Sequence, residues 1–147
     1  MGKIKYTYFS ECGVRRDNED YCQVVANPED ERYLFVVCDG MGGHAMGEVA
    51  SQVICTTICN YWEHASFVNG VESVLENAFR MASEALEAKA DILHKVETGT
   101  TMVLAAIYND KVTFAHCGDS RGYLLRPNTG VIYQTRSEEH TSELQSR

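Results

Sequence analysis

Short segments rich in apolar, β-branched and aromatic residues recur along the chain. In several of them apolar and polar residues alternate, which is typical of strands that bury one face. The segments are residues 4–9, 21–26, 33–38, 102–108, 111–117, 122–126 and 131–134. Turn residues such as Asn109-Asp110 separate them. The pattern therefore predicts antiparallel strands joined by hairpins.

Two segments in the middle of the chain carry apolar residues at helical spacing instead. The first stripe is Val49, Val53, Ile54, Thr57, Ile58 and Tyr61, and the second is Val71, Val74, Leu75, Ala78, Phe79, Ala82, Leu86 and Leu93. Each helix has one apolar stripe, so we expect each to lie on a sheet rather than to be enclosed. Strands, then two helices, then more strands predict an α+β fold built on antiparallel sheets.

Composition places the chain among ordinary globular proteins. Its 147 residues are 44 % hydrophobic and 23 % charged, which suits one domain with one core. The net charge is -8 and no basic cluster occurs, so we expect no nucleic-acid partner. No apolar run approaches the roughly 20 residues that span a bilayer, and the N-terminus has no leader pattern, so no membrane partner is expected either.

The six cysteines form no Cys-x-x-Cys pair, which leaves zinc-knuckle and thioredoxin-like sites unsupported. Cys55 and Cys59 lie four residues apart on a predicted helix. They fit either a metal pair or two small apolar core residues, and burial of free cysteine favours the core. The sequence thus predicts a reduced cytoplasmic protein.

The last twelve residues, RSEEHTSELQSR, have no apolar periodicity. The string resembles the translation of a sequencing adapter. We interpret residues 1–135 as the N-terminal part of one domain and residues 136–147 as a non-native tail. His140 is accordingly not treated as a ligand.

Three polar clusters carry the candidate chemistry. Asp39 ends an apolar strand and precedes Gly40, and carboxylate and carbonyl oxygens are what hard divalent cations bind. Residues 15–20, Arg-Arg-Asp-Asn-Glu-Asp, combine carboxylates with an arginine able to hold a phosphate. Asp119 follows another strand. Each cluster by itself also fits a turn or a solvated loop.

Four motifs in order make a more specific pattern: Arg15-x-x-Asn18-Glu19-Asp20; Asp39-Gly40-Met41-Gly42-Gly43-His44 with Gly47-Glu48-x-Ala50-Ser51; Gly99-Thr100-Thr101; and Gly118-Asp119-Ser120-Arg121. Over residues 5–135, roughly, this resembles the PPM (PP2C-like) metal-dependent serine/threonine protein phosphatases of bacterial type. The resemblance implies a four-layer α-β-β-α sandwich of two antiparallel sheets flanked by helices, of which this chain has the N-terminal part.

The resemblance also implies a site. Two Mn²⁺ or Mg²⁺ ions, bridged by a water or hydroxide, would lie between the sheets, with a third, weaker ion nearby. Asp39 would bridge the pair and the Gly40 carbonyl would bind one ion. Glu19 and Asp20 would act mainly through outer-shell water. Asp119 resembles the ligand of the third ion, and Arg15 would bind the substrate phosphate.

Two roles stay open for His44. It could be the general acid that protonates the leaving oxygen, or a loop histidine bonded to its neighbours. The second is favoured, because family members with such an acid carry it at a different place in the loop.

The expected function is Mg²⁺- or Mn²⁺-dependent hydrolysis of phosphoserine and phosphothreonine by a metal-activated water. The implied partners are Ser/Thr-phosphorylated proteins and a kinase that phosphorylates them. In the family a C-terminal half supplies two more metal-binding aspartates, yet no aspartate follows Asp119 here. We therefore expect a C-terminally truncated and inactive fragment. The alternatives are a non-catalytic pseudophosphatase module that binds phosphoproteins, and a phosphoesterase that acts on small molecules.

Overall fold

A computed structural model describes the main chain of residues 4–13, 18–41, 46–92, 99–136 and 142–146, and side chains through residue 136. The elements are β1 (Asp20–Asn27), β2 (Arg32–Met41), α1 (Met46–His64), α2 (Val71–Ile92), β3 (Gly99–Thr100), β4 (Met102–Tyr108), β5 (Lys111–Cys117), β6 (Tyr123–Arg126), β7 (Gly130–Gln134) and β8 (Ser142–Ser146). Both predicted helices, and every strand predicted beyond residue 20, are confirmed, except that Leu93 of the second predicted helical stripe lies outside the described residues.

The larger sheet is antiparallel, with strand order β1-β2-β4-β5-β8, and the short β3 pairs with the end of β2. The predicted turn between β4 and β5 is confirmed. Asn109 and Asp110 have φ angles of 46° and 66°. Positive φ at both central residues gives a hairpin turn whose twist matches that of the flanking strands.

The core lies between one face of this sheet and the two helices. Helix α1 lies across β1 and β2, and α2 packs on α1. The buried apolar cluster joins all of them, from Leu34 and Val36 of β2 through Trp62 of α1 to Leu75 of α2 and Leu104 of β4. No helix in the described ranges is both long enough and apolar enough to cross a membrane.

Strands β6 and β7 form a second antiparallel sheet against the other face. The ring of Phe114 in β5 lies 5.1 Å from that of Tyr133 in β7, centre to centre. Its neighbour Ala115 belongs to the core under the helices, and successive strand side chains point to opposite faces. The predicted α+β class with two antiparallel sheets and flanking helices is confirmed, and the described helices form one layer.

The prediction of a strand over residues 4–9 is wrong, because residues 4–13 form no strand. Alternating aromatic residues favour a strand, but they do not by themselves specify a partner strand to pair with. Tyr6 instead packs edge-on against Phe35, with ring centres 5.6 Å apart, on the sheet face away from the helices. Tyr8 and Phe9 in the same segment are exposed.

The end of the chain has two parts. Thr135 is fully buried, its N–H donates to the Gly122 carbonyl, and its hydroxyl accepts from the Gly122 N–H. Beyond the exposed Arg136, the main chain of 142–146 pairs with β5 as strand β8, which the hydrophobic pattern does not predict. The interpretation of residues 136–147 as a non-native tail stays a prediction.

Candidate functional site

Two of the sequence-predicted metal ligands lie opposite each other. Asp20 at the start of β1 pairs with Asp39 near the end of β2. Opposed residues of an antiparallel pair point to the same face, with β-carbons about 4.5–5.5 Å apart. Cys38 points into the core under the helices, so both carboxylates point to the other face. Asp20 is exposed and Asp39 half-buried, so a solvated cation can reach them.

Gly40 brings the end of β2 against the start of α1. Its N–H donates to the Glu19 carbonyl, with 3.1 Å between the nitrogen and the oxygen. A β-carbon at Gly40 would lie 1.9 Å from the carbonyl oxygen of Gly47, so only glycine fits this approach. The Asp-Gly pair is thus held by main-chain packing rather than standing as a free turn.

Glu19 is fixed from the helix side. The Ser51 hydroxyl donates to the Glu19 carbonyl oxygen at 2.6 Å, and Ser51 is fully buried. The Glu19 carboxylate lies over Gly47, where an added β-carbon would come within 2.6 Å of Oε2. Gly47 is in the first turn of α1, and a helix N-terminus favours a nearby negative charge.

Thr101 links the third motif to Asp39. Its N–H donates to the Asp39 carbonyl at 2.8 Å, and its Oγ1 accepts from the Asp39 N–H at 3.2 Å. The same hydroxyl lies 2.5 Å from that of Ser120. Gly118, with φ +92°, packs so closely that a β-carbon there would lie 2.8 Å from the Thr101 methyl group.

Asp119 lies in the turn after β5, between Gly118 and Ser120, and is exposed. The turn is tied to the Asp39 strand end through Thr101 and Ser120. The structure therefore brings the second, third and fourth motifs together at one end of the large sheet.

Two predicted site residues, Arg15 and His44, lie outside the described residues. Their roles stay predictions. Within the described ranges, no group of three or more His, Cys, Asp or Glu side chains is gathered to hold a metal ion.

The oxygen donors at this site are of the type that binds a hard divalent cation. Asp20 and Asp39 supply opposed carboxylates, and Gly40 supplies a carbonyl beside them. Carboxylate, carbonyl and water oxygens are what Mg²⁺ and Mn²⁺ prefer. The described residues thus provide part of a coordination shell.

The core cysteines do not take part in the candidate site. Cys38, Cys55 and Cys59 are buried between β2 and α1. A hydrogen bond with Cys38, together with burial, raises the pKa of Cys55 well above its usual range, and a hydrogen bond with Cys55 does the same for the pKa of Cys59. Cys55 and Cys59 stay protonated at neutral pH, which excludes both as thiolate nucleophiles. The preferred interpretation of this pair as core residues is confirmed.

Sequence reasoning gave no role to Ser51, Thr101 or Ser120. All three belong to motifs that it quoted, and each holds the main chain of a candidate ligand or the turn that carries one. The only indication in the sequence was that these three residues occur within or next to the motifs that carry the carboxylates. Their partners lie 19 to 62 residues away in the chain, so the contacts themselves become visible only in the structure.

The family model described as "Protein phosphatase 2C" matches residues 4–146. The chain belongs to the protein phosphatase 2C family. It is 35% identical over 123 residues to the serine/threonine phosphatase stp of Listeria welshimeri, an alignment that covers 79% of this chain and 47% of the relative. The chain spans about half the length of the first Listeria relatives that it matches.

Solved structures agree with this assignment. The catalytic domain of serine/threonine protein phosphatase PstP, in complex with two manganese ions, matches with a TM-score of 0.65 and 31% identity, covering 90% of this chain and 49% of that one. A bacterial serine phosphatase bearing an R161E mutation matches with a TM-score of 0.80 and 28% identity, covering 99% and 66%. The chain therefore has the fold of part of a PP2C-like domain.

Proposed function

We propose that this chain carries part of the metal site of an Mg²⁺- or Mn²⁺-dependent phosphatase that hydrolyses phosphoserine and phosphothreonine in proteins. The observation that carries the proposal is the opposition of Asp20 and Asp39 beside Gly40 on an accessible sheet face. The manganese ions named for the PstP catalytic domain support it, since that protein shares the fold and 31% of aligned residues.

The proposed roles follow the four motifs. Asp39 would hold two ions between its carboxylate oxygens, and the Gly40 carbonyl would hold one of them. Glu19 and Asp20 orient metal-bound water from the outer shell, and Asp119 binds a third, weaker ion. Arg15 binds the substrate phosphate through its guanidinium, which can hold two phosphate oxygens at once.

The ions, when bound, activate a water and neutralise charge on the phosphate. The chain's own residues contribute by holding the metal-binding groups in place. Ser51 and Gly40 hold the Glu19 main chain, and Thr101 holds that of Asp39. His44 is proposed as a loop histidine bonded to its neighbours, with the general-acid role as the alternative.

We further propose that these 147 residues alone do not turn over substrate. The described residues gather no group of three acidic, histidine or cysteine side chains, and no aspartate follows Asp119. A two-metal centre needs more carboxylates than this.

The proposed partners are Ser/Thr-phosphorylated proteins and the kinase that phosphorylates them, in the cytoplasm. The serine/threonine phosphatases among the relatives support this class of substrate. A pseudophosphatase that binds phosphoproteins without turnover is the alternative.

Phosphate release from a phosphothreonine peptide tests the proposal. It is measured with and without Mn²⁺, for this chain and for the product of the native gene that contains it. We expect Mn²⁺-dependent release by the native product, loss of release in its Asp39→Asn variant, and none from this chain. Peptide binding without release would favour the pseudophosphatase. Release from nucleotides but not from peptides would favour a small-molecule phosphoesterase.

A further inference from the structure

Thr101 makes an unusual set of contacts for a residue with no assigned chemistry. It is 7% exposed and lies between the two-residue strand β3 and β4. Its main-chain N–H and its side-chain oxygen bond the carbonyl and the N–H of the same residue, Asp39. The Asp39 main chain is thereby fixed on both sides of its α-carbon, and the direction in which the carboxylate leaves the strand is fixed with it.

The other side of Thr101 faces the turn after β5. Its hydroxyl oxygen lies 2.5 Å from that of Ser120, and its methyl group fills the space beside Gly118. A β-carbon at Gly118 would lie 2.8 Å from that methyl group, and the φ of +92° there also favours glycine. Both the hydroxyl and the methyl group of Thr101 therefore contact the turn that carries Asp119.

We propose that Thr101 is a positioning residue that sets the Asp39 carboxylate for cation binding and, through Ser120, couples the Asp119 turn to it. The proposal rests on the proposed function, because it assumes that Asp39 binds a divalent cation. A cation held at Asp119 and a cation held at Asp39 then affect one another's affinity, since one side chain links both main-chain segments. Residues that orient metal ligands typically contribute 10- to 100-fold to metal affinity.

The test is Mn²⁺ binding by the product of the native gene that contains this chain, measured from the electron paramagnetic resonance signal of free Mn²⁺, together with hydrogen exchange of the Asp39 amide. Thr101→Val keeps the shape of the side chain but removes the hydroxyl. We expect it to weaken Mn²⁺ binding about tenfold or more and to speed exchange of the Asp39 amide. Thr101→Ser keeps the hydroxyl and should bind Mn²⁺ within about twofold of the unmodified product.

Thr113→Val is the matched control, because Thr113 is a similarly buried threonine of β5 that is not part of the site. It should leave both readouts unchanged. Ser120→Ala removes the other hydroxyl of the contact between Thr101 and Ser120. It should also weaken Mn²⁺ binding, and it provides a second test if Thr101→Val fails to fold. Circular dichroism identifies any variant that has lost its fold.

Two results would overturn the role of Thr101. One is a folded Thr101→Val chain with unchanged Mn²⁺ affinity and unchanged exchange of the Asp39 amide. The other is an equal loss of Mn²⁺ affinity in Thr113→Val, which would show that any buried threonine substitution in the sheet weakens binding. A native product that binds no Mn²⁺ counts against the proposed function, and unchanged exchange of the Asp39 amide in its Thr101→Val variant then overturns the role of Thr101 as well.

Discussion

Gly40 and Gly47 pack main chain against main chain, so closely that a β-carbon at Gly40 would lie 1.9 Å from the Gly47 carbonyl oxygen. This contact brings the strand that ends in Asp39-Gly40 against the first turn of α1. It also leaves room above Gly47 for the Glu19 carboxylate. This close approach explains why both positions are glycine.

Gly47→Ala should destabilise the fold although alanine is the better helix former. The new β-carbon would meet Glu19 Oε2 at 2.6 Å and the Gly40 carbonyl carbon at 2.9 Å. Overpacking of this kind typically costs about 1–3 kcal/mol, against about 1 kcal/mol of favourable helix propensity. Urea unfolding measures the difference. Gly99→Ala, whose β-carbon would meet nothing closer than 4.0 Å, is the control and should not destabilise the chain, because alanine loses less backbone entropy on folding than glycine. A stabilised Gly47→Ala chain would contradict the contact.

Ser51→Ala should lower the free energy of unfolding by about 1 kcal/mol, because it removes a buried hydrogen bond of 2.6 Å to the Glu19 carbonyl. Ser83→Ala, at an exposed position of α2, provides the matched control and should be neutral. Equal effects at the two positions in urea unfolding would mean that the Ser51 hydrogen bond contributes nothing specific.

Much of the fold could be predicted from the sequence because periodicity is local. The two helices and the strands β1, β2 and β4 to β7 follow from local apolar spacing and from β-branched and aromatic residues. Residues 4–9 show the limit, since an alternating pattern cannot reveal whether a segment pairs with another strand. Strand β3 was not predicted either, as two residues carry no periodicity and its pairing with Gly40 and Met41 is long-range.

The candidate site was also predictable only in part. Asp39, Asp20 and Asp119 were identified from local motifs, but their supporting contacts were not. The hydrogen bond between Thr101 and the Asp39 N–H joins residues 62 apart, and no local pattern encodes it. The site is assembled by sheet register, which depends on the whole domain.

The raised pKa values of Cys55 and Cys59 predict that the chain loses stability at alkaline pH. The pKa of each thiol is raised in the fold above the ordinary value of 9.0, with hydrogen bonding to a neighbouring thiol as the leading cause. The folded chain therefore keeps protons that the unfolded chain releases above about pH 9. Their contribution to stability is complete below that pH and is lost as pH rises further, at up to about 1.4 kcal/mol per pH unit for each thiol.

Urea unfolding at pH 8 and pH 10 measures this loss. The Cys55→Ala/Cys59→Ala variant should show a smaller decrease between the two pH values than the unmodified chain. An identical decrease in both chains would show that these two thiols do not cause it.

Removal of residues 136–147 should change the free energy of unfolding by less than about 1 kcal/mol if the tail is non-native. The segment contains a single apolar residue, Leu144, and so has little apolar area to bury. Removal of Thr135 as well should cost more, because Thr135 is buried and bonds Gly122 twice. A large loss on removing the tail alone would show that the pairing of β8 with β5 stabilises the domain.

The central claim is that Asp39 is the residue around which a divalent cation binds. Isothermal titration with Mn²⁺ tests it in the product of the native gene that contains this chain, with Asp39→Asn as the variant and Asp91→Asn, an exposed position of α2, as the control for loss of one charge. Asp39→Asn should weaken Mn²⁺ binding by about tenfold or more, while Asp91→Asn should leave it unchanged. Equal affinities in all three proteins would contradict the claim.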